Sequence, residues 1–290
     1  MVALTALGLT ACGGGGGDGP AHEVASPTAV PAHYSLAWSD EFSASTPALS
    51  SVWTYDLGAQ LLGDTVWGNS EQQYYTRDAQ NVRVEDGQLI IQAVAGLPDE
   101  APGNLNLLAT SARVKTDTPD FYAALGNSPY GFYEIRAKVP CVEGAWPAIW
   151  MMGRDGEWPA RGELDIMEWF GRYFAAEPNQ VQSGVHTAAN FGSTSIYEKL
   201  AVANFCSDFH RFQLHWQPTR LTFAVDEQTI MAYDKPANAT LETWPFDQPA
   251  HLLLNVAVGG NLGIDPNKSV DVSKIPDMRM VVDYVRIYQP

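Results

Sequence analysis

Residues 209–233 read FHRFQLHWQPTRLTFAVDEQTIMAY. Phe212, Leu214 and Trp216 alternate with polar residues, and after Gln217-Pro218-Thr219 the alternation resumes through Leu221, Phe223 and Val225. Alternation with period two on both sides of a turn signal is the pattern of a β-hairpin with one buried face. The same texture recurs in NVRVEDGQLIIQAV (81–94), where Glu85-Asp86-Gly87 supplies the turn, and in YGFYEIRAKV (130–139). HLLLNVAV (251–258) and MRMVVDYVRIYQ (278–289) complete the set, and no segment shows a sustained helical period. Strands that follow one another without intervening helices predict an all-β fold, a sandwich of antiparallel sheets of the jelly-roll kind rather than a βαβ fold.

The 290 residues are 46% apolar and 11% aromatic, with nine Trp, which is enough apolar surface for a substantial core and too much for a disordered chain. Net charge is −16, from 33 acids against 17 bases. Phosphate backbones and anionic membrane surfaces both need clustered Lys and Arg, so nucleic acid is excluded as a natural partner.

The N-terminus, MVALTALGLTACGGGGGDG, holds an apolar run too short to span a bilayer. The run suits the apolar part of a signal peptide, and Leu9-Thr10-Ala11-Cys12 resembles a bacterial lipobox, although no Lys or Arg precedes it. Residues 1–12 are therefore expected to be a signal or lipobox segment, with Cys12 the lipidation site. Residues 13–33, rich in Gly, Pro and Ala, read as a flexible tether, and 34–290 as one domain. The expectation is an exported monomer, secreted or held at the cell surface or outer membrane by a lipid. Export makes a disulfide between Cys141 and Cys206 possible, and a pair of buried thiols is the alternative.

The candidate chemistry lies in GELDIMEW (162–169). Glu163 and Asp165 share a face of a strand, whereas regular alternation sends Glu168 to the other. One extra residue at Ile166 or Met167, a β-bulge, restores Glu168 to the first face. The two Glu carboxyls then approach roughly 5–5.5 Å, the separation of retaining glycosidases. Three close carboxyls cannot all ionise readily, so one should hold its proton near neutral pH and serve as an acid. A solvated strand face or a hard-cation site is the plainer reading of three acids, but the flanks WMMGRDGEWPAR and WF are apolar and aromatic. Trp67, Trp146, Trp150, Trp158 and Trp169 sit in or beside polar, Gly-containing segments and suit a sugar cleft as well as a core.

GELDIMEWFG resembles the signature of family-16 glycoside hydrolases in its bulged form, and the resemblance continues through most of the domain. WSDEF (38–42), WGNSEQQYYT (67–76), TSARVKT (110–116), YGFYEIRAKVPCVEGAWPAIWMMG (130–153), GVH (184–186), LLLNVAVGGN (252–261) and DYVRIYQ (283–289) are similar to blocks of bacterial laminarinases. The resemblance implies a concanavalin A-like sandwich of two curved sheets with a cleft on the concave face. It also implies retaining endo-hydrolysis of β-1,3-glucan or mixed β-1,3/1,4-glucan without a catalytic cofactor. By the same resemblance Glu163 is the nucleophile, Asp165 the assisting acid and Glu168 the acid/base. Asn69, Arg113, Trp146, Trp150, Trp158 and His186 match cleft positions, with Asn255 and Asn261 as weaker candidates.

Arg113 is equally readable as a structural ion-pair donor and His186 as a core histidine. A structural calcium is implied at Glu41, Gly87 and Asp283, where both acids could also be plain surface residues. Ile264, and the longer connection TDTPDFYAALGNSPYG (116–131), depart from the family pattern. A sulfated-galactan hydrolase or a binding-only β-glucan protein on the same fold are the rival functions; the first calls for a basic cleft and the second typically lacks the acids.

Overall fold

The computed structural model describes residues 29–43, 49–59 and 67–290. Cys12, the signal segment and the tether up to residue 28 lie outside the described residues. In chain order the strands begin β1 (Ser35–Asp40), β2 (Thr54–Asp56), β3 (Gln73–Tyr75), β4 (Val82–Glu85), β5 (Gln88–Gln92) and β6 (Val94–Ala95). They continue as β7 (Ala109–Ser111), β8 (Arg113–Lys115), β9 (Gly131–Lys138), β10 (Ala145–Gly153), β11 (Glu163–Glu168) and β12 (Gln180–His186). The last are β13 (Ile196–Ala201), β14 (His210–Gln217), β15 (Arg220–Val225), β16 (Gln228–Asp234), β17 (Ala250–Val258) and β18 (Arg279–Gln289).

Seven strands form one antiparallel sheet in the order β13-β12-β11-β10-β17-β8-β2. The second large sheet runs β16-β15-β14-β9-β18-β5-β4, with β1 paired to the C-terminal half of β18. Alternation explains the sandwich. Ile149 and Met151 of β10 and Leu252, Leu254 and Val256 of β17 share one core with Ile135 of β9 and Phe212, Leu214 and Trp216 of β14. Each such side chain contributes roughly 1.5–3 kcal/mol when fully buried. The hairpin read in 209–233 is β14 and β15, joined by Pro218-Thr219. Asp86 and Gly87, at φ 53° and 74°, join β4 to β5 as a two-residue turn with both residues left-handed.

Of the two places open to it, Trp169 takes the core: it follows Glu168 on the inward side, and its Nε1 donates to the Pro178 carbonyl at 3.0 Å. The connection 116–131 carries a short helix, Pro119–Ala124, capped by Thr118 Oγ1, which accepts from Phe121 N at 3.3 Å. Six residues are too few to show a helical period in sequence. Cys141 and Cys206 are bonded, their Cα atoms 5.4 Å apart, so the disulfide alternative holds. Closing a loop of 65 residues stabilises the fold by about 4 kcal/mol on chain-entropy grounds.

The predicted bulge is present in β11. Against β10, Met167 pairs with Ile149 and Asp165 with Trp150, so Ile166 is the extra residue. Against β12, Asp165 pairs with Gly184 and Glu168 with Gln182, with the register shift between them. Ile166 and Met167 both turn into the core. A bulged residue falls out of the ladder, and the Ile166 carbonyl instead accepts a 2.7 Å hydrogen bond from Ser183 Oγ, which is wholly buried on β12. Ser183 occupies an inward position between Val181 and Val185, where an apolar residue would be expected.

Ser183→Ala leaves that buried carbonyl without its donor, a loss of about 1–3 kcal/mol. Calorimetry should show a midpoint lowered by a few degrees, and kcat should fall more than KM rises because Glu168 loses its fixed position.

Candidate active site

The outer face of the seven-stranded sheet carries a cleft of about 280 Å³. Its floor follows from strand parity: Trp146, Ala148, Trp150 and Met152 alternate outward from β10, Asn255 and Ala257 from β17, and Arg113 from β8. Glu163, Asp165 and Glu168 all face into it from β11. Trp158 and Arg161 wall it from the β10–β11 connection, and Trp67, Asn69, Glu71 and Tyr75 from the segment around β3.

Each acid has a defined polar neighbour. Trp146 Nε1 donates to Glu168 Oε1 at 3.0 Å. His186, paired across β12 with Glu163, sets its Nε2 3.2 Å from Asp165 Oδ2 and 3.7 Å from Glu163 Oε1. His186 thus stands behind the acids rather than in the apolar core, and it is not among the residues that line the cleft. Gly184 pairs with Asp165, and a Cβ there would lie 3.3 Å from Asp165 Oδ2. Arg113 is both things proposed for it. Its guanidinium lies between the rings of Trp67 and Trp150, 4.8 and 4.6 Å from their centroids, while Nε pairs with Asp56 Oδ2 at 2.9 Å.

Burial raises the proton affinity of all three acids. For Glu168 burial acts first, then repulsion from Asp165 and Glu163, and the group ends well above the usual carboxylate range. Glu163 is pushed up to about 8 by burial and by the Asp165 charge, partly offset by His186, Arg113 and a hydrogen bond from Trp158. Burial raises Asp165 to about 7. Glu168 is therefore the last to ionise, and Glu163 has the Arg113 guanidinium to favour its carboxylate. Glu163, Asp165 and His186 bring their donor atoms within 4.8 Å, the one such grouping of metal-competent side chains among the described residues.

Two residues that the sequence reading passed over line the same cleft. Glu71 Oε2 accepts from Gln73 Nε2 at 2.7 Å and faces Tyr75 OH at 3.5 Å. Burial lifts its carboxyl to about 7, against the pull of Gln73 and Arg113. Tyr75 OH accepts from Asn255 Nδ2 at 3.3 Å, and Asn255 Oδ1 accepts from Trp150 Nε1 at 2.8 Å, so a polar chain joins the floor to the wall. The block WGNSEQQYYT carried the signal: an acid set between polar residues and a pair of aromatics.

Asn261 is not among the cleft-lining residues. It lies in the turn of helix Gly260–Gly263 beyond the end of β17, where its carbonyl accepts from Arg172 Nη1 at 3.0 Å. The three residues to which the resemblance assigns a calcium lie outside the cleft. Glu41 gives both carboxylate oxygens to Arg286 at 2.9 Å, Asp283 accepts from Arg136 Nη1 at 2.6 Å, and Gly87 lies in the β4–β5 turn.

Comparison with known proteins agrees with this geometry. The family described as "Glycosyl hydrolases family 16" matches residues 69–285. The chain is 37% identical to a Beta-glucanase of Rhodothermus marinus over 269 residues, 89% of this chain and 86% of that protein. Among solved structures, SCLam, a non-specific endo-β-1,3(4)-glucanase, superimposes with a TM-score of 0.78 at 37% identity, covering 91% of this chain and 94% of its own. The laminarinase of Rhodothermus marinus gives 0.75 at 35% identity, covering 89% and 98%.

The raised proton affinity of Glu168 has a stability cost with a definite sign. Above about pH 4.3 the unfolded chain releases this proton while the folded chain keeps it, so stability falls as pH climbs from the unfolded toward the folded pKa. Glu168→Gln, which keeps the acceptor for Trp146, should melt a few degrees above wild type at pH 8. The advantage should disappear at pH 4, where the wild-type acid is protonated in both states; a gain independent of pH would contradict the assignment.

Proposed function

The chain belongs to glycosyl hydrolases family 16, and we propose that this laminarinase-like endo-β-glucanase cleaves β-1,3-glucan, or mixed β-1,3/1,4-glucan, by double displacement with retention. The observation that carries the reading is the placing of all three acids of β11 on one cleft face, with Glu168 the most reluctant to ionise. Glu163, as carboxylate, attacks the anomeric carbon and forms a glycosyl ester, while Glu168 gives its proton to the departing glycosidic oxygen. Glu168, now ionised, takes a proton from water as that water attacks the ester from the opposite side. The sugar leaves with its original configuration, Glu163 is freed and Glu168 is protonated again. Asp165, beside His186 Nε2 and between the two Glu, raises the proton affinity of each neighbour and shares in the proton balance of the cluster.

Charge supports a neutral glucan over a sulfated galactan. The cleft presents Arg113 and Arg161 against Glu71, Glu163, Asp165 and Glu168, and Arg113 is already paired with Asp56. The Cys141–Cys206 disulfide supports export to an oxidising compartment, consistent with a protein secreted or anchored through Cys12.

Reducing-sugar release should be assayed side by side on laminarin, lichenan, cellulose, agarose and carrageenan. The first two should be cleaved, and Glu163→Ala should lower kcat by about 10³-fold or more. NMR of the first product should show the β-anomer; initial inversion would contradict double displacement. The rate should fall at low pH as Glu163 protonates and at high pH as Glu168 ionises, and Glu168→Gln should remove the alkaline limb.

A further inference from the structure

The cleft does not stop at the acids. Gly184 on β12 pairs with Asp165 on one side and with Tyr197 of β13 on the other. A Cβ at Gly184 would meet Asp165 Oδ2 at 3.3 Å and Tyr197 Cβ at 3.5 Å, so only bare backbone separates the acid from the tyrosine. On the same side of the site Trp158 lies 6.2 Å from His186, ring to ring, and holds Phe191 edge-on at 5.6 Å. Tyr197, Trp158 and Phe191 are 52%, 46% and 44% exposed. Single exposed aromatics are ordinary, but three beside one stretch of β12, joined to the cleft lining through Trp158, form a patch that calls for an occupant. Phe191 is also presented firmly: its amide donates to Thr194 Oγ1 at 3.2 Å, and its carbonyl accepts from the same hydroxyl at 3.0 Å.

We propose that Tyr197 and Phe191 extend the cleft into a second sugar-binding platform, which seats glucosyl units of the β-glucan chain beyond the acids on the side away from Arg113. The proposal rests on the glucanase reading of the site. A pyranose ring offers an apolar face bounded by hydroxyls, and exposed aromatic rings beside a bare backbone strip match it, with stacking as the main contribution. The occupant follows from continuity. A chain seated against Arg113 on β8 and Trp150 on β10 meets β12 and then β13 once it passes the acids of β11, because the strands follow one another in that order across the sheet. The platform is therefore a determinant of chain-length preference rather than of bond cleavage.

The test is kcat/KM across a series of β-1,3-linked gluco-oligosaccharides of increasing length, for wild type, Tyr197→Ala, Tyr197→Phe and Phe191→Ala/Tyr197→Ala. The shortest cleaved substrates should be handled within about twofold of wild type by every variant. The longer ones should lose about 3- to 10-fold per ring removed, the size of one aromatic contact, and Tyr197→Phe should keep wild-type values because stacking survives loss of the hydroxyl. Melting points should stay within about a degree of wild type, as exposed positions predict. Equal losses at all lengths, or none, would overturn the platform. Unchanged kinetics with altered sedimentation would assign the rings to a contact between copies and overturn it too. A wild type inactive on every β-glucan would instead remove the glucanase reading on which the platform rests.

Discussion

One buried hydrogen bond, from Ser183 Oγ to the Ile166 carbonyl, holds the point where β11 breaks its own alternation. Without the extra residue, Glu168 would point into a core of Ile149, Leu164 and Val181, where an acid is costly, and Met167 would point into the cleft. With it, the acids share a face, and the apolar residues Ile166 and Met167 are both buried on the other. A strand that must satisfy a packed core on one side and a reaction on the other has little freedom. The bulge is the local solution to both demands, and the polar side chain opposite it, in a slot otherwise suited to Val, is part of that solution.

The same crowding gives the acids their chemistry and makes them a burden on the fold. Burial lifts all three carboxyls, and Glu168, repelled by both Asp165 and Glu163, ionises last even though His186 and the indole N–H of Trp146 pull against it. Carboxyls left solvated would cost the fold less and would lose their protons at acidic pH, leaving no general acid near neutrality. The sandwich tolerates the burden because its two sheets bury an extensive apolar core and a disulfide closes a long loop.

Much of this was legible in the sequence, and the limits were physical. Period-two alternation in 209–233 and 251–258 located strands and their buried faces, and the spacing of Glu163, Asp165 and Glu168 demanded the bulge that β11 contains. What spacing cannot report is which outward side chain meets which neighbour across strands distant in sequence. Glu71 reaches the cleft because its segment bridges to Gly259, 188 positions later in the chain. Asn261 misses the lining because a single helical turn follows β17. Ser183 reads as an ordinary strand polar residue until the orphaned carbonyl opposite it is known. Trp169 illustrates the converse: an aromatic beside an acid falls inward as soon as the strand's parity is fixed.

The central claim is that the bulge sets Glu163 and Glu168 on one face with opposite roles at the same anomeric carbon. Azide can replace either missing carboxylate when a β-glucan oligosaccharide carries an activated leaving group, and the configuration of the azide product identifies the role of the side chain removed. Glu168→Ala should give the β-glycosyl azide, formed from the Glu163 ester, and Glu163→Ala should give the α-glycosyl azide by direct displacement. The same anomer from both variants, or the two reversed, would contradict the account.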